Sequence, residues 1–408
     1  MPAPSMVIGL FRELLARSGL VETAQVESLG SEIAAQDPGG GLQLARLLVR
    51  QGLLTRFQAE RLLEGRSRGF FVDEFKVLEL LGAGGMALLY LVRERSTGGL
   101  RALKIVTEKF RNDRGILARL DAEFEAGRRI RHPHVVRTLA ARTGEDLFGP
   151  IPYLVLEFLR GITLDELLLL QSRLPWRQAC ACVREAALGL QAVHDAGVIH
   201  RDIKPANLMI DAAGTTRVID FGLALIRDTG LDAEFSLAML FGHDCLGTAD
   251  YIAPEQAAEG QHVDGRADVY SLGCTFYTLL AGMVPFPVAT TRQKLAAHRD
   301  EPFPDIRQHV PQMPKEVVRL LGAMGAKDPA KRPSSMAEVA RSLEKFWEQP
   351  SISFDFDRIL AHRAALARKR YPHNPSGAQL AGPGSPRVGP ASSTGGLPAQ
   401  ERGDAPPL

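Results

Sequence analysis

The chain has 408 residues, of which 45% are hydrophobic and 24% are charged, a composition typical of globular proteins with one large domain and a smaller one. Its formal net charge is +2, from 49 basic and 47 acidic residues, so composition gives no reason to expect binding to nucleic acid or to an anionic membrane surface. Four cysteines do not make a disulfide framework in a chain of this size, which favours a reducing compartment, and we expect a cytoplasmic protein.

Residues 1–66 predict a small helical module. Apolar residues recur every three or four positions, as in Phe11 and Leu15 and again in Leu44 and Leu48. Thr55 is a candidate N-cap of the last helix. The start of the chain predicts neither a signal peptide nor a membrane span. The leucine stripes permit two interpretations, a cap packed on the next domain or a surface for a docking partner or dimer.

From Phe71 the pattern changes to short β-compatible runs, FKVLELL, ALLYLVRER and RALKIV, interrupted by glycines. From about Thr163 to Trp347 the periodicity is mainly helical. Strands followed by helices predict an α+β fold in which a β-rich lobe precedes an α-rich lobe, over residues 71–347. We expect residues 348–370 to form a helical extension. The Pro-, Gly- and Ser-rich residues 371–408 predict a disordered tail.

A glycine-rich turn and a buried lysine suggest phosphate binding. Gly82, Gly84 and Gly85 lie between two strand-like runs, where backbone amides can approach a phosphate, although such a turn alone is more often ordinary structure. Lys104 follows in an apolar strand, where its ammonium group needs a carboxylate partner. Glu123, on the next helical stretch, is the natural partner, with Glu125 as the alternative.

Charged residues are then concentrated between apolar runs. The segment VIHRDIKPANLMI contains Asp202, Lys204 and Asn207, and RVIDFGLA places Asp220 at a strand end. Order, spacing and residue types agree with the motif set of protein kinases. From about Phe71 to Trp347 the chain resembles the eukaryotic-like, or Hanks-type, Ser/Thr protein kinases of bacteria. The N-terminal helices resemble, more weakly, the segments that precede kinase domains in some planctomycete-type proteins.

The resemblance implies a bilobal kinase fold and transfer of the γ-phosphoryl of Mg-ATP to Ser/Thr hydroxyls of proteins, including the chain itself, with Mn²⁺ as an alternative metal. Asp202 would accept the substrate proton, and Lys204 would steady the γ-phosphate. Asn207 and Asp220 would bind the metal. Lys104 would hold the α- and β-phosphates and pair with Glu123.

The resemblance also implies the nucleotide contacts, with Leu156 at the gatekeeper position and the backbone of Glu157 and Leu159 bonding the adenine. The full set is Leu81, Gly82, Ala83, Gly84, Gly85, Met86, Ala87, Leu89, Ala102, Lys104, Leu156, Glu157, Leu159, Met209 and Ile219.

Three further positions are expected to brace the site, again by resemblance. Glu255 should pair with Arg332, Asp268 should hold the backbone of the catalytic loop, and Thr248 should contact Asp202 and Lys204.

Two residues depart from the family pattern and suggest a second function. Ala87 stands at the third glycine of the phosphate loop, and Gly127 lies one turn after Glu123, where the family has a larger residue. Glycine in a helix interior costs about 1 kcal/mol against alanine, so we expect a loosely held helix, a Lys104–Glu123 pair only partly formed before phosphorylation, and a gap that leucine at position 127 would fill.

Regulation and the competing functions follow from these departures. Phosphate on Thr229 or Ser236 would pair with Arg201 and order the segment after Asp220. An ATP-binding pseudokinase scaffold is the main alternative function, and a small-molecule phosphotransferase is a third.

Overall fold

The computed structural model describes residues 6–22, 24, 40–84, 86–146, 149–220, 225–226, 248–257, 263–348 and 354–370. The predicted tail at 371–408 and the candidate phosphorylation sites Thr229 and Ser236 lie outside these ranges.

The N-terminal module contains α1 (Ile8–Ser18), α2 (Gly41–Arg50) and α3 (Arg56–Leu63). Its apolar stripes pack on each other, because Phe11, Leu15, Leu44 and Leu48 are fully buried in one cluster. The predicted cap of α3 is confirmed. The Thr55 side chain accepts a bond from the Gln58 amide, and the Gln58 side chain bonds the Thr55 amide in return, which is a capping box.

The same two capping residues dock the module on the following domain. The Thr55 hydroxyl donates to the Leu78 carbonyl at 2.7 Å, and the Gln58 side-chain nitrogen donates to the Val77 carbonyl at 2.6 Å. Phe57 lies between them and is buried in the core of the next sheet. These contacts favour the packing-cap interpretation of the module.

The first lobe is a curled antiparallel sheet in the order β1-β2-β3-β4-β6-β5. A glycine-containing turn joins β2 to β3, and one helix, α4 (Arg114–Arg129), comes between β4 and β5. β4 lies between β3 and β6, so its residues are held on both edges. The strands are β1 (Phe71–Val72), β2 (Phe75–Ala83), β3 (Ala87–Glu94), β4 (Leu100–Val106), β5 (Thr138–Asp146) and β6 (Gly149–Glu157).

The second lobe is mainly helical and is built on α6 (Trp176–Asp195) and α7 (Arg266–Ala281), whose buried faces form its large core. Two small sheets, in the orders β10-β9-β7 and β11-β8, lie where this lobe meets the first. The strands are β7 (Gly161–Thr163), β8 (Val198–Ile199), β9 (Leu208–Asp211), β10 (Thr216–Val218) and β11 (Leu225–Ile226). The other helices are α5 (Leu164–Gln171), α8 (Thr291–Asp300), α9 (Lys315–Met324) and α10 (Met336–Leu343).

A last helix, α11 (Phe356–Arg370), follows the second lobe and packs back against β2 and β7. The described part of the chain contains no helix that is both long and apolar enough to cross a bilayer. The order of strands and then helices is the predicted α+β arrangement, with the two lobes joined after β6.

Candidate active site

Lys104 is held between two carboxylates. Its Nζ lies 2.9 Å from both carboxylate oxygens of Glu123 and 2.8 Å from Oδ1 of Asp220. Burial opposes the charge on Lys104, but the carboxylates of Asp220 and Glu123 outweigh it and raise the pKa of the ammonium group. The alternative partner Glu125 instead bonds Arg128 at the surface. The Lys104–Glu123 pair is therefore fully formed.

The expected gap beside Gly127 is absent, and that interpretation is wrong. Thr138, at the start of β5, occupies the space, and its Cβ lies 2.7 Å from where a Cβ on Gly127 would stand. A Cβ there would also overlap the Thr138 hydroxyl. Glycine at 127 thus lets α4 approach the sheet closely enough for Glu123 to reach Lys104.

The turn predicted to bind phosphate has Ala87 at the position of its third glycine and keeps its backbone bonds on both sides of Gly85. The amide of Gly84 donates to the Ala87 carbonyl at 3.0 Å, and Thr107 donates its amide and its hydroxyl to the Met86 carbonyl. Ala87 pairs with Val106 inside β3, an extended conformation that does not require glycine. Gly85 lies outside the described residues. The alanine is therefore compatible with the loop.

Four of the apolar residues predicted to contact adenine share one cluster in the first lobe. Leu81 and Ala102 are buried, and Leu89 and Leu156 pack against them. The Glu157 amide is occupied by the Arg137 carbonyl at 2.9 Å. Two of the predicted contacts belong to the second lobe: Met209 lies on β9 and Ile219 follows β10, and both are half-buried.

Asp202 is fixed by two neighbours in the second lobe. Lys204 Nζ donates to its Oδ2 at 2.8 Å, and the Asn207 side-chain nitrogen donates to the same oxygen at 3.0 Å. That nitrogen also bonds the backbone carbonyl of Asp202 at 2.8 Å. These two bonds therefore fix the orientation of the Asp202 carboxylate.

Asp268 anchors the loop that carries Asp202, as predicted. Its two carboxylate oxygens accept the backbone amides of His200 at 2.9 Å and Arg201 at 2.8 Å. His194 adds a third contact at 2.8 Å, which sequence reasoning did not find, because a histidine near the end of α6 carries no motif of its own. Burial alone would raise the pKa of Asp268, but these bonds outweigh it and lower the pKa.

Two residues of the site have left-handed backbone conformations, with φ of 65° at Arg201 and 62° at Asp220. Such conformations are uncommon outside glycine and occur at sites where the surroundings impose them. For Arg201 the surroundings are the anchor on Asp268 and a bond from Gln256 to its carbonyl at 3.1 Å.

The predicted metal ligands are brought together by backbone pairing. The Ile219 amide, adjacent to Asp220, donates to the Asn207 carbonyl at 2.9 Å. Because the Asn207 nitrogen faces Asp202, its oxygen is the atom directed away from it. A carboxylate and an amide oxygen suit a hard divalent cation, which takes its remaining ligands from phosphates and water. The donor set therefore fits such a metal.

Glu255 and Arg332 form the predicted ion pair, with Nη1–Oε1 at 2.6 Å and Nη2–Oε2 at 2.9 Å. The Arg332 side chain is fully buried and also bonds the backbone carbonyls of Ala326, Arg266 and Lys327. The side chain of Thr248 lies outside the description, so its expected contacts stay a prediction.

We expect Arg332→Leu to lower the free energy of unfolding by about 3–5 kcal/mol, because it leaves Glu255 buried without its partner. Urea denaturation followed by circular dichroism measures the loss. Arg307→Leu is the matched control, since Arg307 pairs with Asp305 at the exposed surface and such pairs contribute little. Equal effects of the two substitutions would contradict the structural role of the buried pair.

Known proteins that resemble this chain in sequence are protein kinases. Residues 75–344 match the protein kinase domain family model. The chain is 34% identical over 281 residues to serine/threonine-protein kinase PknB of Mycolicibacterium smegmatis, covering 68% of this chain and 43% of the relative. It is 32% identical over 296 residues to PknB of Mycobacterium tuberculosis, covering 70% and 46%.

A probable serine/threonine-protein kinase of Clostridium perfringens is 32% identical over 285 residues, with 69% and 39% covered. The chain thus spans less than half the length of each of these relatives. The matched region contains Lys104, Asp202 and both candidate metal ligands. The chain belongs to the protein kinase domain family.

Proposed function

We propose that the chain is an ATP-dependent protein Ser/Thr kinase, with residues 71–347 as its catalytic domain. The observation that carries the proposal is the Lys104 ammonium group bonded to both Glu123 and Asp220, together with an Asp202 carboxylate already oriented by Lys204 and Asn207. A nucleotide-binding scaffold would need neither an oriented base nor two metal ligands.

In this mechanism the substrate hydroxyl oxygen attacks the γ-phosphorus while the bond from phosphorus to the β–γ bridging oxygen breaks. The hydroxyl proton passes to Asp202, and ADP leaves with the bonding electron pair. Lys204, 2.8 Å from the Asp202 carboxylate, stands where it can neutralise charge on the transferred phosphoryl group. Lys104 would hold the α- and β-phosphates.

The nucleotide would lie between the apolar cluster that contains Leu81 and Ala102 and the second-lobe residues Met209 and Ile219, with its adenine bonded to the backbone of Glu157 and Leu159. Asp220 and Asn207 would hold Mg²⁺, with Mn²⁺ as the alternative, and the cation would neutralise phosphate charge.

The acceptor would be a Ser or Thr hydroxyl of a protein, since Lys204 stands two residues after Asp202 as in the Ser/Thr members of the family. We place the reaction in the cytoplasm, where ATP is available and thiols such as the free Cys274 stay reduced. The N-terminal module would act as a cap on the phosphate-loop strand.

The test is incubation of the full chain with γ-labelled ATP and Mg²⁺, with and without dephosphorylated casein, followed by phosphoamino-acid analysis. We expect label on serine and threonine of the acceptor and of the chain. Lys104→Met should lower the rate of labelling by at least about 10²-fold, because methionine cannot bond the α- and β-phosphates. The matched control is Lys109→Met, at an exposed lysine. Label on no protein would refute the proposal.

A further inference from the structure

The helix α11 lies outside the matched kinase region and contacts the first lobe through its C-terminal half. Ala367 is buried in the sheet core, in the cluster that also contains Val77 and Phe57. Arg368 bonds Glu79 of β2 at 3.3 Å and also pairs with Glu60 of α3. The helix is thus fixed to the strand that leads into the phosphate loop and to the N-terminal module.

The N-terminal half of α11 covers the connection between the lobes. The Phe356 ring meets the Phe158 ring edge to face, with centroids 6.1 Å apart, and the Arg160 guanidinium lies 4.9 Å from the Phe356 centroid. One turn later, Leu360 packs on the apolar cluster of Leu81, Leu91 and Ala102. The helix therefore packs against the same apolar cluster that we propose contacts adenine.

The contact with the second lobe is carried by Arg363. Its Nε donates to Glu166 Oε1 at 2.6 Å, and its Nη2 donates to Oε2 at 2.5 Å and to the Gly161 carbonyl at 3.0 Å. The side chains of Arg363 and Glu166 are 13% and 19% exposed, so this bidentate bond is largely shielded from water. Nearby, Phe354 and Ile359 pack on the core of the same lobe.

Bonds on both sides of the lobe connection have a mechanical consequence. Kinase lobes close on a nucleotide and open to release it by rotation about a few connecting residues. A rigid helix bonded to β2 on one side and to β7 and α5 on the other resists that rotation. The bidentate bond between Arg363 and Glu166 tolerates little change in the angle between the two groups, so it opposes rotation of one lobe against the other.

We propose that α11 is an interlobe strap and that Arg363 is the positioning residue through which it limits opening of the nucleotide cleft. The inference rests on the proposed function for the identity of the nucleotide. It assigns to residues beyond the kinase domain a part in holding ADP and ATP.

The experiment uses the full chain and measures the Kd and dissociation rate of Mg-ADP by calorimetry and stopped flow, and KM for ATP and kcat where transfer occurs. We expect Arg363→Ala to weaken ADP binding and raise KM about tenfold, to speed ADP dissociation, and to change kcat less than about twofold. Arg363→Lys should fall between, since lysine keeps the charge without the fork. Arg358→Ala, an exposed arginine on the same helix, should match the parent.

Two further variants keep the test informative if Arg363→Ala folds poorly. Glu166→Gln retains the capping box with Thr163 but removes the negative charge, and it should weaken ADP binding in the same direction. A chain ending at residue 370, which keeps α11 whole, should bind ADP with the affinity of the parent. Hydrogen exchange over 356–370 verifies that α11 has loosened.

An ADP affinity within twofold of the parent, in variants whose α11 exchanges faster, would overturn the proposal. So would a fall in melting temperature without a change in ADP affinity, which is the signature of a purely structural helix. ADP binding does not require phosphoryl transfer. A parent chain that binds ADP but labels no protein would therefore refute the kinase proposal, while the comparison of ADP affinities among the variants would still test the role of α11.

Discussion

Asp202→Ala is expected to reduce phosphoryl transfer by about 10²- to 10⁴-fold, the range typical of a positioned general base, while leaving ATP affinity nearly intact. We expect the transfer rate to fall without a loss of ATP affinity, because Asn207 bonds the Asp202 backbone carbonyl at 2.8 Å. This bond does not depend on the Asp202 side chain. The proposed metal ligand therefore stays in place when the carboxylate is removed. Single-turnover kinetics and nucleotide calorimetry measure the two quantities.

Asp202→Asn serves as the companion variant, because the amide oxygen can still accept from Lys204 but cannot take a proton at neutral pH. Both variants should be equally inactive. Turnover close to that of the parent in either one would remove Asp202 from the role of base, and a large loss of ATP affinity would show that it mainly organises the nucleotide site.

Gly127→Leu is expected to lower activity by at least about tenfold, because the new side chain would collide with Thr138 and push α4 away from the sheet. Glu123 would then withdraw from Lys104, which it now meets at 2.9 Å. Gly127→Ala should act in the same direction with a smaller effect. Activity with casein and ATP is the measurement.

The structure provides a matched control and a rescue for Gly127→Ala. Gly322 lies in α9 with nothing within 4 Å of its would-be Cβ, so Gly322→Ala should leave activity unchanged. Thr138→Gly combined with Gly127→Ala removes the atoms that collide and should recover much of the lost activity. If Gly127→Leu is instead as active as the parent, or more so, the helix has room there and the close-packing argument fails.

The pairing of Lys104 with Glu123 was predictable, because both residues belong to motifs whose spacing is set by phosphoryl transfer. The catalytic role of Asp202 and the metal-binding roles of Asn207 and Asp220 stay predictions. Thr55 was likewise predictable from local capping chemistry. The prediction of a gap beside Gly127 was wrong, because the space there is filled by Thr138. Thr138 lies on a different element and belongs to no motif. The pair of Arg363 and Glu166 joins residues 197 apart in sequence, and no periodicity or composition of either segment indicates it.

The docking of α3 on β2 has a consequence for the solution behaviour of shorter fragments. On the outer edge of β2, Phe75 and Lys76 pair with β1, and the Val77 amide donates to the Phe70 carbonyl at 2.8 Å. The carbonyls of Val77 and Leu78 accept bonds from the side chains of Gln58 and Thr55. A fragment that began at Phe71 would present an unprotected strand edge, which is a template for pairing with another chain. In the full chain, the bonds from Thr55 and Gln58 would thus shield this edge from pairing with another chain, independently of any part that the N-terminal helices take in catalysis.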